Sequence, residues 1–413
     1  MVIALAAVLS MGLLGGTPAW ARKKPTESTN KHTAGKKKAR NTKAKAKQRE
    51  VAPPGNAEAR LIAVYRQIGQ GNLSTAQAQA GDLVRDYPNF QLAQLVYGDL
   101  LSARSRPLQA LGDVPASQLS ASAAPALQDL RGEALQRLRA LRERPPPHSV
   151  PSQLVALASD VRHAIAVDAL RSRLYLFANS ATGPQLIGDY YVSLGKLGLD
   201  KRAEGDARTP QGVYFITTNL DPRTLKDFYG GGALPINYPN VLDQQRGKTG
   251  KGIWLHGTPP EQFARAPLAT DGCVVLANPD LHHLIRTVEI RSTPVIIANE
   301  LRWVPTQTAR ASARSFEATL RAWQGARGDG NLAALQRHYS TSFQPAVERA
   351  DTLPPAPRLR DASILRWVDQ DDTMVVSYRN AGTAHARGPV QPWRQVWRRE
   401  RDQWKIIYEG VNG

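Results

Sequence analysis

The apolar pattern of this chain changes period twice, and each change marks a different kind of structure. From residue 56 to 145 apolar side chains recur at helical spacing: Leu61, Tyr65 and Ile68, then Ala76, Ala80, Leu83 and Val84, then Leu92, Leu95, Val96 and Leu100. Gly71-Asn72-Leu73 and Tyr87-Pro88-Asn89 interrupt the stripes. From 161 to 300 the pattern becomes short apolar runs with turns between them: Ala164–Val167, Leu174–Phe177, Gln185–Val192, Gly212–Thr217, Gly252–His256, Cys273–Leu276 and Thr293–Ala298. One helix stands out among them, with Asn278 as its cap, Pro279 at the first helical position, and Leu281, Leu284 and Ile285 as its apolar face. From 306 to 413 two helical stripes (Phe316, Leu320 and Trp323, then Leu332–Tyr339) precede strands at Ile364–Val368, Thr373–Tyr378, Gln391–Arg398 and Trp404–Tyr408. Trp404, Ile406 and Tyr408 share one face of the last strand, and Trp393 and Trp397 fill the interior beside them.

These periods predict a multidomain α+β chain. A helical N-terminal module (56–145) leads through the stiff linker Arg144-Pro145-Pro146-Pro147 to a mostly-β domain (161–300) and an α+β cone-like C-terminal domain (306–413). The Gly-Asn-Leu-Ser-x-Ala and Tyr-Pro-Asn pattern of the first part resembles tetratricopeptide-type helix pairs. With so few units, such a module packs on a neighbour or forms a homodimer. A chain of 413 residues, 42% of them hydrophobic, has apolar material for two or three such cores.

Residues 1–21 read as a secretory signal: an apolar run from Val2 to Leu14, then Ala19-Trp20-Ala21 as a cleavage site. No Lys or Arg precedes that run, so whether the segment is cleaved or stays as an anchor is open. The net charge of +19 is uneven, because residues 22–50 hold twelve Lys/Arg against two Glu. That basic segment (22–55) has too little apolar surface to fold. In an exported chain its partner is the anionic cell-envelope surface, or it is a solvated spacer; nucleic acid is not expected. Export places the protein in the periplasm.

Cys273 is the only thiol, so it forms no internal disulfide. It follows Gly272 and lies seventeen residues after His256. A Cys nucleophile needs a base within reach, an orienting partner for that base, and N–H donors for the oxyanion. Two strand ends joined by the loop 257–272 can bring His256 and Cys273 together. His282-His283 carries no metal reading, since adjacent helix positions diverge and no further ligand follows at the right spacing.

At these residues the sequence resembles the YkuD-type L,D-transpeptidase family. The matching positions are His256, Gly257, Thr270, Gly272, Cys273 and Asn278, with an upstream Gly205-Asp206-Ala207-Arg208-Thr209-Pro210-Gln211-Gly212-Val213-Tyr214 segment. Ser193-Leu194-Gly195-Lys196 and Tyr238-Pro239-Asn240 also fit. The resemblance implies attack by Cys273 on the meso-diaminopimelate carbonyl of a peptidoglycan stem tetrapeptide, with release of D-Ala. It implies His256 as base, the Gly257 carbonyl as its orienter, and the N–H groups of Gly272 and Cys273 as oxyanion donors. Thr258, Thr270, Tyr238, Trp254 and Asn278 join the substrate-binding set, Trp254 as groove wall or core residue. No metal or organic cofactor is implied. Two positions depart from the family: Asp271 stands where His is usual, and Val275 where Arg is frequent. Asp271 either meets a substrate amine or merely shapes the turn. The last stretch resembles the nuclear-transport-factor-2-like superfamily. The whole order is similar to cell-shape-determining L,D-carboxypeptidases, in which water is the acyl acceptor; in transpeptidases an amine is. A cell-wall-binding scaffold with weak or no catalysis is the contrasting reading.

Overall fold

The computed structural model describes residues 55–343 (except 116 and 118), 358–379 (except 370) and 392–411. The expected signal and basic segments lie outside the described residues.

Four helices open the described chain: α1 (Asn56–Gly69), α2 (Leu73–Asp86), α3 (Gln91–Ser102) and α4 (Ala124–Arg142). The first sequence break ends α1 for a local reason. Gly71 takes φ 77°, its N–H reaches the Ile68 carbonyl, and the Asn72 N–H reaches back to the Gln67 carbonyl. This paired closure needs a residue that tolerates the left-handed region. Leu61, Val64, Ala76, Leu83, Leu92 and Val96 bury the stripes against one another.

The same core also contains Phe263 and Ala277 from far along the chain. Of the two expectations for the helical module, packing on a neighbour and self-association, the structure supplies the first. Its core stripes are used within the chain, while Leu73, Leu101 and Leu135 stay exposed. A buried ionic cluster reinforces the seam, with Glu58 on both Arg137 (2.8 Å) and Arg173 (2.7 Å), and Arg137 also on Glu133 (2.7 Å).

Two short strands follow the proline linker, β1 (Ser149–Pro151) and β2 (Leu154–Ala156). The central domain then supplies β3 (His163–Asp168), β4 (Arg173–Ser180), β5 (Gly183–Tyr191), β6 (Leu194–Gly195), β7 (Gly212–Phe215), β8 (Ala233–Pro235), α5 (Val241–Gln245), β9 (Trp254–His256), β10 (Leu268–Thr270), β11 (Val274–Val275), α6 (Asn278–Thr287), β12 (Pro294–Ala298) and β13 (Trp303–Pro305). The main sheet runs in the order β5-β4-β3-β12-β7, mixed in direction. Both faces are covered at β3, β12 and β7, which is why these strands read as continuous apolar runs rather than alternating ones, while the edge strand β5 stays exposed in its middle. Ile165, Val167, Val295 and Ile297 face the small sheet β11-β9-β8 and helix α6. Ala164, Ala166, Ile296 and Ala298 face the C-terminal sheet.

The chain closes with α7 (Thr306–Ala311), α8 (Arg314–Gly328), α9 (Leu332–Gln336), β14 (Ala362–Val368), β15 (Asp372–Arg379), β16 (Pro392–Glu400) and β17 (Gln403–Gly410). The antiparallel order is β17-β16-β15-β14-β2, so a strand from before the central domain completes this sheet. Phe316, Leu320, Trp323, Trp397, Trp404 and Ile406 form its core. The expected alternation of β17 breaks at Ile407: the register with β16 slips between Val396 and Trp397, so Ile407 is fully buried while Tyr408 is half-buried.

Candidate active site

The parallel pair β9 and β11 sets Leu255 beside Val274 and His256 beside Val275. Cys273 immediately precedes β11 and therefore falls next to Trp254. Carried one residue further, the pleat turns the Cys273 side chain to the same face as His256. The Leu276 N–H donates to the His256 carbonyl (2.9 Å) and locks the two strand ends together.

His256 is buried, and its Nδ1 lies 2.7 Å from the Gly257 carbonyl oxygen. A carbonyl only accepts, so Nδ1 carries the proton and Nε2 keeps a lone pair. Burial pulls the imidazole down to about 4, with only partial opposition from the Gly257 bond. The ring is neutral at neutral pH and fit to take a proton. Burial also pushes the Cys273 thiol up, and Asp271 adds to the rise. A Trp254 N–H bond and the cations Arg265 and Lys201 oppose it. At rest the thiol lies 3.5 Å from the Gly252 carbonyl oxygen, and the imidazole is neutral.

Gly257 is glycine because of Asn278. A Cβ at 257 would sit 2.0 Å from Asn278 Oδ1 and 3.0 Å from the Gly231 nitrogen. Asn278 was expected to cap α6, but the cap position belongs to Ala277 and the Asn278 side chain turns to the loop instead. Its Oδ1 accepts from the N–H groups of Gly231 (2.8 Å) and Thr258 (3.2 Å), and its amide donates to the Thr258 carbonyl (2.8 Å). The Thr258 hydroxyl donates to the Gln262 carbonyl (2.8 Å). Thr258 is fully buried, so it staples the loop rather than meeting substrate.

Thr270 is a second staple. Its hydroxyl accepts from the Gly272 N–H (3.1 Å) and donates to the Cys273 carbonyl (2.8 Å). This corrects one expectation, because the Gly272 N–H is already engaged and not free for an oxyanion. Gly272 holds φ 124°, and a Cβ there would meet the Arg208 carbonyl oxygen at 2.6 Å. Tyr238 is likewise moved out of the substrate set: it is 5% exposed, and its hydroxyl bonds the Thr249 carbonyl (3.1 Å). Trp254 is half-buried with its ring 4.8 Å from Tyr229. Asp271 is exposed and paired with Lys196 at 3.0 Å, so a substrate amine would meet a competitor already in place. Val275 is buried in the ladder.

Sequence reasoning missed the wall around these residues. Phe228 and Tyr229 set their rings 5.9 and 5.1 Å from His256, and the Tyr229 carbonyl accepts from the Gly257 N–H (3.1 Å). An aromatic pair followed by Gly230-Gly231-Gly232 was the available signal. A Cβ at Gly230 would lie 2.2 Å from the Thr258 carbonyl oxygen, so the run wraps the His256 loop closely. Arg265 was also missed, its guanidinium 4.4 Å from the Phe228 ring centre. The helical module reaches the same loop. Phe90 stacks on Phe263 (4.2 Å), Asn89 donates to the Pro260 carbonyl (2.9 Å), and Gln91 donates to the Glu261 carbonyl (2.9 Å).

Residues 162–297 match the family model of the L,D-transpeptidase catalytic domain, YkuD. Among curated proteins, none matches the chain. Among solved structures it is similar to Bd1075 of Bdellovibrio bacteriovorus, at 22% identity and TM-score 0.48 over 64% of this chain and 98% of that one. It is also similar to the helical cell shape determining protein Pgp2 of Campylobacter jejuni (20% identity, TM-score 0.46, 62% of this chain and 95% of that one). An L,D-transpeptidase from Mycobacterium smegmatis aligns at 12% identity and TM-score 0.22, over 33% of this chain and 59% of that one.

Proposed function

We propose that this chain is an exported cysteine acyltransferase acting on peptidoglycan stem tetrapeptides. The reading proceeds from the L,D-transpeptidase catalytic domain matched over residues 162–297. The observation that carries it is the His256 Nδ1 to Gly257 carbonyl contact of 2.7 Å, which leaves Nε2 as the proton acceptor on a strand paired with the one that Cys273 precedes.

In the proposed reaction, Cys273 Sγ gives its proton to His256 Nε2 and attacks the diaminopimelate carbonyl carbon. The Cys273 N–H is the oxyanion donor. The bond to the terminal D-Ala nitrogen breaks, that nitrogen takes the proton from His256, and a thioester remains. Water or an amine then attacks the thioester and returns its proton through His256 to the sulfur. The first acceptor makes an L,D-carboxypeptidase, the second an L,D-transpeptidase. The order of helices and antiparallel strands after residue 306 supports a nuclear-transport-factor-2-like C-terminal domain. Among the described residues no helix is long and apolar enough to cross a membrane. Residues 22–50 would meet anionic envelope polymer.

Incubation of the purified chain with disaccharide-tetrapeptide tests the reading. Tripeptide with free D-Ala identifies hydrolysis, and a cross-linked dimer identifies transpeptidation. Absence of both products, with Cys273→Ala still active in cells, would replace the enzyme with a wall-binding scaffold.

A further inference from the structure

Arg265 is the cation across the Phe228 ring from His256, and no acid among the described residues pairs with it. Lys196 is taken by Asp271 (3.0 Å) and Lys201 by Asp206 (2.7 Å), while Arg208 donates to the Leu199 carbonyl (2.9 Å). No carboxylate or carbonyl among the described residues bonds the Arg265 guanidinium, and its Nε is buried without a partner. The guanidinium lies against the half-exposed Phe228 ring, 4.4 Å from its centre, and that ring lies 5.9 Å from His256. The aromatic face holds the cation in place through the ring quadrupole and leaves an edge of the fork free.

The segment that carries Arg265 is pinned on both sides. Tyr191 OH donates to the Arg265 carbonyl (2.8 Å), the Leu194 N–H donates to the Pro267 carbonyl (2.9 Å), and Phe263 is stacked on Phe90. Burial lowers the Arg265 affinity for its proton, and Cys273 and Asp271 only partly restore it. A half-buried guanidinium kept short of partners gains most from an anion that arrives with the substrate.

We propose that Arg265 is the receptor for the free α-carboxylate of the acyl donor's leaving residue. This rests on the function proposed above and names its specificity determinant. In a peptide cleaved one residue from its end, backbone bond lengths put the terminal carboxylate about 4 Å from the carbon under attack. A cation that serves it must stand near the reacting pair, and Arg265 stands one ring away from His256, across Phe228. The same contact orients the scissile bond, so the preference is for donors that end in a free carboxylate.

The test compares the synthetic tetrapeptide L-Ala-γ-D-Glu-diaminopimelate-D-Ala with its C-terminal amide. Binding is measured by calorimetry to the full chain carrying Cys273→Ala, with and without Arg265→Gln or Arg265→Lys. With Arg265 intact, the free carboxylate binds more tightly by roughly 10- to 150-fold, the range for a hydrogen-bonded charge. Arg265→Gln abolishes the difference and Arg265→Lys keeps part of it. Equal binding of the two peptides to the chain with Arg265 intact, which needs no further substitution, would overturn the inference. So would a difference that survives Arg265→Gln in a folded variant. Turnover by the chain with Cys273 intact is judged separately: if both peptides are processed alike, the proposed function stands and the role of Arg265 falls.

Discussion

Gly257→Ala is the perturbation that most directly probes how His256 is held. The added Cβ would lie 2.0 Å from Asn278 Oδ1, so the two atoms must part by more than an ångström. If Asn278 yields, it gives up its bonds from Gly231 (2.8 Å) and Thr258 (3.2 Å) and leaves two N–H groups short of an acceptor. That costs ~2–4 kcal/mol of stability. If the 257 peptide yields, the carbonyl leaves His256 Nδ1 and the imidazole loses its tautomer and aim. A displacement of that size lowers kcat by about 10²-fold or more. The assay is tetrapeptide turnover alongside thermal unfolding, with Asn278→Ala and the double variant completing a cycle. The two substitutions break one shared contact, so the double variant loses less than the sum of the singles. A Gly257→Ala enzyme with unchanged kcat and an unchanged midpoint would show that Gly257 and Asn278 do not hold His256, and so would strictly additive losses.

Four other outcomes follow from the structure. The kcat/KM profile should keep its activity down to an acid limb near the His256 value of about 4, because burial has lowered the base from 6.5; a limb near 6.5 would contradict a buried neutral imidazole. Folded His256 binds its proton less readily than the unfolded chain does, so the stability it contributes is present above about 6.5 and lost as pH falls toward 4. Asp280 runs the other way, since burial raises it to about 6 and its contribution is present below 3.8 and lost as pH rises through 6. Asp280→Asn should therefore stabilise the chain by ~2–3 kcal/mol at pH 8 and by nothing measurable below pH 4, read by denaturant titration at both values. Phe90→Ala, though distant in sequence from the catalytic loop, should lower kcat as well as stability, because Phe90 stacks on Phe263; a stability loss of ~3–5 kcal/mol with kcat intact would confine the module to a scaffold role.

The sequence made the period changes and the strands of the main sheet legible, because each is a short-range pattern; His256 and Cys273 stood out by the same kind of pattern, and their partnership is a proposal. Ile165 and Val167 against Ala164 and Ala166 is a run that only a sheet covered on both faces explains. What stayed hidden depends on contacts between distant segments. Strand β2 belongs to a sheet assembled some two hundred residues later, and nothing in Leu154-Val155-Ala156 indicates which sheet it joins. Asn278 looked like a helix cap from its place before Pro279, and only the approach of Gly231 and Thr258 turned it inward. Tyr238 sat in a family-like segment yet is spent on the core. Phe228, Tyr229 and Arg265 carry no motif of their own, and the docking of Phe263 on Phe90 could not be read from either alone.

The proposed reaction passes through a thioester at Cys273, and intact-protein mass spectrometry of the chain mixed briefly with stem tetrapeptide at low pH detects it. The expected result is a mass increase equal to the peptide less its D-Ala, carried on the Cys273 fragment, cleared by hydroxylamine and missing from Cys273→Ala. Release of D-Ala with no adduct under any quench, or turnover that persists in Cys273→Ala, would contradict it.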